Sequence, residues 1–312
     1  MKKLFPLIIL FLLLSACGDA VLPTSQITKS SGGLLPFPTP SSNLRIGYAI
    51  GAVAKVNGTE ISADEFNQAL DQARVTSEEQ NGGVIDWDTE TNKTRLKELR
   101  DQILQGLINY TVVALAAHKE NTTVSAEEVT KQLENFKKQI GGEETYKIWL
   151  SRRFMSDNDN RHTIEQGLLF SKMLEQHATV QDKEEQVKVR HILLGSEKEA
   201  KDIFARLQQG ADFAALATQF SLDIASAKKG GDLDWVFKGQ TEPAFEQAAF
   251  ALKIGTFSGS IKTSLGWHII KVEAREVRQL PLDLVEQRRQ EAFGAYIKVL
   301  RDHAIIEVLL NT

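Results

Sequence analysis

Apolar residues recur along this chain with two periods, and the switches between them mark its elements. Over residues 51–62 (GAVAKVNGTEIS) two short alternating runs flank Asn57-Gly58, a dipeptide suited to a type I′ hairpin turn. The period then lengthens. Ser62 and Glu65 form a capping box, and Phe66, Ala69, Leu70 and Ala73 follow at helical spacing. After an irregular polar stretch at 81–88, a long helix is expected from about 91 to 118, with Leu96, Leu99, Ile103, Leu107 and Ile108 on its apolar face. Ser125 and Glu128 cap another, which carries Val129, Leu133 and Phe136 and stops at Gly141-Gly142. Tyr146, Trp149, Leu150 and Phe154 predict a short helix, and Ile164, Leu168 and Met173 one that ends near Val180.

Residues 187–273 read differently. Alternation over 187–194 puts Val187, Val189, His191 and Leu193 on one face of a strand, so His191 faces a core. Ser196 and Glu199 cap a helix with Ala200, Ile203, Phe204 and Leu207 inside, ended by Gly210; Asp212 caps a shorter helix through Phe220. A loop, SLDIASAKKGGDLDW, follows, and its Gly230-Gly231 pair permits a tight turn into a strand. Pro243 opens a helix with Phe245, Ala249 and Leu252. The last strand, 266–272, turns His268, Ile270 and Val272 to one face. The order is β-α-α-β-α-β, with an inward histidine on the first and last strands.

Beyond it, Pro281 precedes an amphipathic helix with Leu282, Val285, Phe293, Tyr296 and Leu300, and 304–310 (AIIEVLL) reads as a terminal strand. A lone strand needs an edge to pair with, and the hairpin at 53–61 offers one. The expected organisation is a helical domain over 51–180, an α+β module over 181–277, and a C-terminal helix and strand, 278–312, packing back on the first domain.

Composition changes the picture at one end. Residues 1–17 (MKKLFPLIILFLLLSAC) join two lysines to an apolar run too short for comfortable bilayer crossing, then small residues before a cysteine. This resembles a bacterial lipoprotein signal with Leu14-Ser15-Ala16-Cys17 as lipobox, which implies cleavage before Cys17 and lipidation of its sulfur. Residues 18–50, rich in Pro, Ser and Gly, form an extended tether. The rest of the chain is then extracytoplasmic and membrane-anchored, on the periplasmic or cell-surface side. The formal net charge of -4, without a basic stripe, argues against nucleic acid as a partner. A single cysteine excludes an internal disulfide framework. His118, His162 and His177 have no second histidine or cysteine at metal-ligand spacing, so no metal site is expected.

Two inward histidines satisfy each other's ring nitrogens only with help from hydroxyls or carboxylates. Asp223 and Thr263 stand near the appropriate strand ends. Spacing alone leaves open a purely structural histidine pair. The motif series carries more: RHILL at 190–194, FS-x-D at 220–223, SAKKGGDL at 226–233, then EPAFEQAAFAL and GWHIIKVE. In this order it resembles the parvulin-type (PpiC, or rotamase) peptidyl-prolyl cis-trans isomerase domain.

That resemblance implies an α+β, FKBP-like module with a four-stranded antiparallel sheet flanked by helices. It implies His191 and His268 as the paired histidines, Asp223 at an aspartate-or-cysteine position and Thr263 as the linking threonine. Leu233, Thr241 and Phe245 fall at the proline pocket. Thr241 replaces a usual methionine, implying a smaller and more polar pocket, and Asp234 replaces the last glycine of a GDLG turn, removing its backbone freedom. Nothing basic follows His191, so phosphoserine-proline specificity is not expected. Asp223 makes a covalent thiol mechanism unavailable, and no cofactor is implied.

Across its length the chain resembles the SurA, PrsA, PpiD and EpsD-like group of extracytoplasmic foldases, with a SurA-N-like helical chaperone domain before the parvulin module. The implied activity is X-Pro isomerisation in unfolded or folding secreted polypeptides. A holdase whose module binds without turning over, and a structural lipoprotein of an export complex, are the alternatives.

Overall fold

The computed structural model describes residues 48–310; the expected lipobox with Cys17 and the tether up to residue 47 lie outside the described residues. Two compact units divide the chain. One comprises the described residues up to Thr179 with those from Arg289 on, and the other is Val180–Arg288.

The first unit opens with a hairpin, β1 (Ala52–Val56) and β2 (Thr59–Ser62), paired antiparallel with Val56 opposite Thr59. Asn57 and Gly58 hold φ of 50° and 83°, the double left-handed geometry of a type I′ turn. The Ser62–Glu65 capping box starts α1 (Ala63–Asn81), which Gly82 ends at φ 73°. Then come α2 (Glu90–Lys119), α3 (Ala126–Ile140), α4 (Glu143–Arg152) and α5 (Asp157–His177). Ser125 and Glu128 close the box at α3, and Ser156 and Asp159 close another at α5.

Two expectations need correcting here. The stretch at 81–88 is not merely polar: Ile85 and Trp87 are buried in the core of β1, α1 and α2. The Trp87 indole N–H donates to Glu78 at 3.2 Å, and the Arg74 and Arg95 guanidiniums lie 5.6 and 5.8 Å from its ring. Phe154 lies outside the short helix, which stops at Arg152. Its own φ of 52° reverses the chain, so that the Met155 N–H reaches the Leu150 carbonyl at 3.1 Å. A satellite core of Leu133, Phe136, Tyr146 and Ile164 joins α3, α4 and α5.

In the second unit the order is β3 (Lys183–Leu194), α6 (Glu197–Gln208), α7 (Phe213–Phe220), α8 (Ile224–Ala227), β4 (Asp232–Val236), α9 (Pro243–Ala251), β5 (Ile261–Thr263) and β6 (Gly266–Gln279). The strands form one antiparallel sheet in the order β4-β3-β6-β5. The helix α8 and strand β5 were not separable in sequence, since four and three residues are too short for any period to show.

Alternation over 187–194 holds in the structure, with Val187, Val189 and His191 on the Phe245 face and Ile192 and Leu194 on the other. The register shifts beside it place the extra residue in the partner strands, Glu273 in β6 and Leu233 in β4. Val187 and Val189 pack with Phe245, Ala249, Ile270 and Val272, whereas Ile192 and Leu194 pack with Ala200, Ile203, Phe213, Ala217 and Ile269. Leu193 is only half-buried. Both faces of the sheet are therefore covered by helices.

The chain ends with α10 (Leu282–Asp302) and β7 (Ile306–Val308). Phe293 of α10 is buried in the first unit's core. β7 pairs antiparallel with β1, giving the sheet order β2-β1-β7.

Candidate active site

Adjacent strands bring two histidines side by side. In the β3–β6 register His191 stands opposite Ile270 and Leu193 opposite His268. The rings come within 5.3 Å of each other, inclined by 24°, and their Nδ1 atoms are 3.1 Å apart. Both are buried. Backbone bonds brace the pair from behind: the His191 N–H donates to the Gly231 carbonyl at 2.8 Å. Gly231 has φ 80°, and a Cβ there would stand 2.2 Å from the His191 carbonyl oxygen, so this approach admits only glycine.

The segment after α7 delivers the carboxylate. The Ser221 hydroxyl accepts from the Leu193 and Asp223 N–H groups at 3.1 and 3.3 Å, and the Leu222 N–H donates to the Leu193 carbonyl at 2.8 Å. Asp223 caps α8, accepting the Ala225 N–H at 3.2 Å on Oδ1. Its Oδ2 then faces His191 Nε2 at 2.8 Å. The buried Ser226 hydroxyl donates to the same Oδ2 and lies 3.0 Å from His191 Nε2. On the far side, Thr263 Oγ1 in β5 is 2.7 Å from His268 Nε2.

Electrostatics fixes the direction of this line. Burial pushes the His268 pKa down to about 4, with His191 as a further cause, and burial also lowers that of His191 against the opposing pull of Asp223. Ser226, ahead of His191, holds the Asp223 carboxyl below its usual range. Both rings are therefore neutral at pH 7, each with one N–H. An ionised carboxylate only accepts, so His191 Nε2–H donates to Asp223, leaving Nδ1 to accept from His268 Nδ1–H. His268 Nε2 then accepts from the Thr263 hydroxyl. Proton assignments here follow from the network and its partners. Every ring nitrogen is engaged, and neither histidine has a donor left over for a bound molecule.

Phe245, from the first turn of α9, sets its ring edge against both imidazoles, with centroids 5.9 and 5.3 Å away. Leu233 of β4 packs half-buried into the same apolar cluster. Thr241 stands two residues before α9; its hydroxyl is buried and has no hydrogen-bond partner among the described residues. His191, Asp223, Thr263 and His268 thus form one hydrogen-bonded line with Phe245 against its rings and Leu233 in the Phe245 cluster, while Thr241 is placed only by its position before α9. Cys17 lies outside the described residues. No group of three or more His, Cys, Asp or Glu among the described residues is placed to hold a metal ion.

One sequence expectation is overturned. Asp234 keeps the backbone freedom that its substitution for glycine was expected to remove. Its φ is 60°, and its N–H donates to Asp232 Oδ1 at 2.8 Å. Aspartate tolerates the left-handed region better than most residues, and the Asp232 carboxylate satisfies the N–H of this turn. The β4 turn is therefore preserved.

Sequence reasoning missed three residues that complete the site. Ser226 was visible only as a member of a motif, although a hydroxyl three residues past a carboxylate is the spacing of a local side-chain bridge. Ser221 holds two backbone groups that no pattern of side chains reveals. Glu242 accepts from the Ser264 N–H at 2.9 Å and from its hydroxyl, tying the start of α9 to the β5–β6 turn. These bonds hold its carboxyl below the usual range.

Comparison with known proteins identifies the family of both parts of the chain. A family model described as the PPIC-type PPIASE domain matches residues 170–276, and one described as the SurA-like N-terminal domain matches residues 38–174. Foldase protein PrsA of Caldanaerobacter subterraneus subsp. tengcongensis is 33% identical over 241 residues, covering 75% of this chain and 76% of that protein. A parvulin-like PPIase of Rickettsia bellii is 33% identical over 222 residues, covering 68% and 73%. A crystal structure of the peptidylprolyl isomerase PrsA from Bacillus cereus is 26% identical, covers 81% of this chain and 87% of that one, and superposes with a TM-score of 0.43. With a helical SurA-like N-terminal domain and a PpiC-type domain in one chain, the protein belongs to the PrsA-type foldase family of parvulin peptidyl-prolyl cis-trans isomerases.

Proposed function

We propose that this isomerase is an extracytoplasmic foldase, tied to a membrane through a lipid on Cys17, that accelerates X-Pro rotation in secreted polypeptides as they fold. The uncatalysed barrier is roughly 18–20 kcal/mol, and a thousandfold acceleration removes about 4 kcal/mol of it. Rotation breaks amide conjugation and forms no bond. An apolar cradle that excludes water favours the less polar twisted amide over the conjugated ground state. Leu233, Phe245 and Thr241 hold the proline ring in this reading. His191, His268, Asp223 and Thr263 form the floor beneath it and fix its shape. The carrying observation is the neutral line of hydrogen bonds: with all four ring nitrogens engaged, the histidines support the cradle rather than act on the substrate. The chain's single cysteine is Cys17, so no thiol takes part at position 223.

The holdase alternative rested on Thr241 and Asp234. Asp234 no longer supports it, since its backbone holds the turn; Thr241 still makes the cradle more polar. The test is cis-trans exchange of an Ala-Pro peptide followed by NMR line broadening. The chain accelerates exchange at substoichiometric concentration, and Leu233→Ala lowers the rate at least tenfold. An unaltered rate in that variant would remove Leu233 from the cradle. Wild-type chain that binds the peptide without accelerating exchange makes the protein a holdase.

A further inference from the structure

Glu242 is the N-cap residue of α9, yet its carboxylate makes no capping bond to that helix. It crosses instead to the β5–β6 turn, where the Ser264 N–H donates to Oε2 at 2.9 Å and the Ser264 hydroxyl donates to Oε1. Both elements that it joins touch the hydrogen-bonded line. Phe245, in the first turn of α9, lies against both imidazoles. Thr263, the residue before Ser264, reaches His268 Nε2.

The β5–β6 turn needs a tie from outside. β5 is a three-residue strand at the edge of the sheet, too short to hold itself by its own ladder. Thr263 pairs with Gly266 across a two-residue loop, Ser264-Leu265. Two-residue hairpin loops that fix their own geometry place the first loop residue at positive φ. Ser264 is not at positive φ; the positive value falls later, at Gly266 with 142°.

From that tie the bonds run in one direction. With its N–H and hydroxyl both on Glu242, Ser264 is fixed, and the next N–H, that of Leu265, donates to Thr263 Oγ1 at 3.2 Å. A hydroxyl that accepts there keeps its own hydrogen for His268 Nε2, 2.7 Å away. Glu242 thereby orients the Thr263 donor at one end of the line, as Ser226 orients Asp223 at the other. Its charge is also felt by the ring: burial and His191 lower the His268 pKa, and Glu242 pulls against them.

We propose that Glu242 is a positioning residue for isomerisation: through Ser264 it holds the Phe245 helix and the Thr263–His268 link in the one arrangement that accepts the prolyl ring. This rests on the isomerase reading for its site and adds to it a residue that touches no substrate. Without the clasp the two sides take up that arrangement only part of the time, and a bound proline selects it. Apparent affinity then falls by the competent fraction, while the bound complex turns over as before.

The test uses the whole chain and an Ala-Pro peptide, with rates from NMR exchange and affinity from chemical-shift titration. Glu242→Ala raises KM and weakens binding by about tenfold, and leaves kcat within about twofold. Ser264→Ala, a milder change that keeps the N–H bond, shifts both in the same direction by less. Glu242→Gln retains an acceptor oxygen and brings KM back to within about threefold of wild type. The His268 Nε2 nitrogen resonance moves in Glu242→Ala, because its donor is no longer held, and returns in Glu242→Gln. Wild-type KM with an unmoved His268 resonance in folded Glu242→Ala, or a fall in kcat alone, overturns the assignment. A lowered unfolding midpoint with KM and resonance unaltered also overturns it, since the clasp is then a surface bond only. Binding that weakens tenfold in Glu242→Ala, with no turnover by the wild type, upholds the clasp and removes the isomerase mechanism instead, so the two readings fail separately.

Discussion

At the scale of single residues the site depends on keeping two adjacent imidazoles neutral. The His268 pKa is depressed to about 4 in the folded chain and is about 6.5 when unfolded. The unfolded state therefore binds the extra proton between those values, and stability is full above about pH 6.5 and declines as pH falls toward 4. The loss is on the order of 3 kcal/mol. Urea unfolding at pH 7 and pH 4.5 measures it, and His268→Asn flattens the dependence. A midpoint that does not move between the two pH values contradicts the assignment. Ser226→Ala removes the main stabiliser of the Asp223 anion. The Asp223 pKa then rises, and the isomerisation rate becomes pH-dependent at a higher pH than in wild type. Carboxyl carbon NMR reads the first and a rate profile the second. Asp234→Gly relieves a left-handed aspartate and stabilises the fold by up to about 1 kcal/mol, read as a raised unfolding midpoint. An unchanged or lowered midpoint would show that the Asp232 bond already removes the strain.

At the scale of elements, what the sequence revealed follows from how local its causes are. The capping boxes at Ser62, Ser125 and Ser196 and the turn at Asn57-Gly58 are determined within four residues, and each appears where those residues stand. The helix end at Arg152 was missed because the chain reverses at Phe154, a phenylalanine at positive φ where glycine is the usual signal. The burial of Trp87 was missed because it depends on Arg74, Glu78 and Arg95, which reach it only after α1 and α2 have packed. The positions of His191, His268, Asp223 and Thr263 were legible as a motif. Their bond directions were not, since those require the β3–β6 register and the burial that lowers both histidine pKa values. Gly231 is where turn and site meet. Gly231→Ala forces its Cβ against the His191 carbonyl and costs more than about 2 kcal/mol. The measurement is unfolding by urea with the His191 amide shift recorded alongside; a native-like shift and midpoint would remove this glycine from the site's support.

At the scale of the whole molecule, the described residues form two units, and the proposed function adds an N-terminal anchor to them. The helices of the first unit and those around the second unit's sheet include none long and apolar enough to cross a membrane, among the described residues. The proposed function assigns attachment to Cys17. Cys17→Ser shifts the protein from the membrane fraction to the soluble extracytoplasmic fraction, read by fractionation and by loss of radiolabelled palmitate. Retention in the membrane fraction would place the anchor elsewhere.

The most direct test of the central claim is a refolding reaction whose slow phase is limited by proline isomerisation, an uncatalysed event lasting tens of seconds. The chain is added at one part in about twenty to a reduced client. The slow phase is expected to speed up in proportion to added protein, and Leu233→Ala to abolish most of the gain. A slow phase left unaltered, with aggregation suppressed only near equimolar protein, would contradict it.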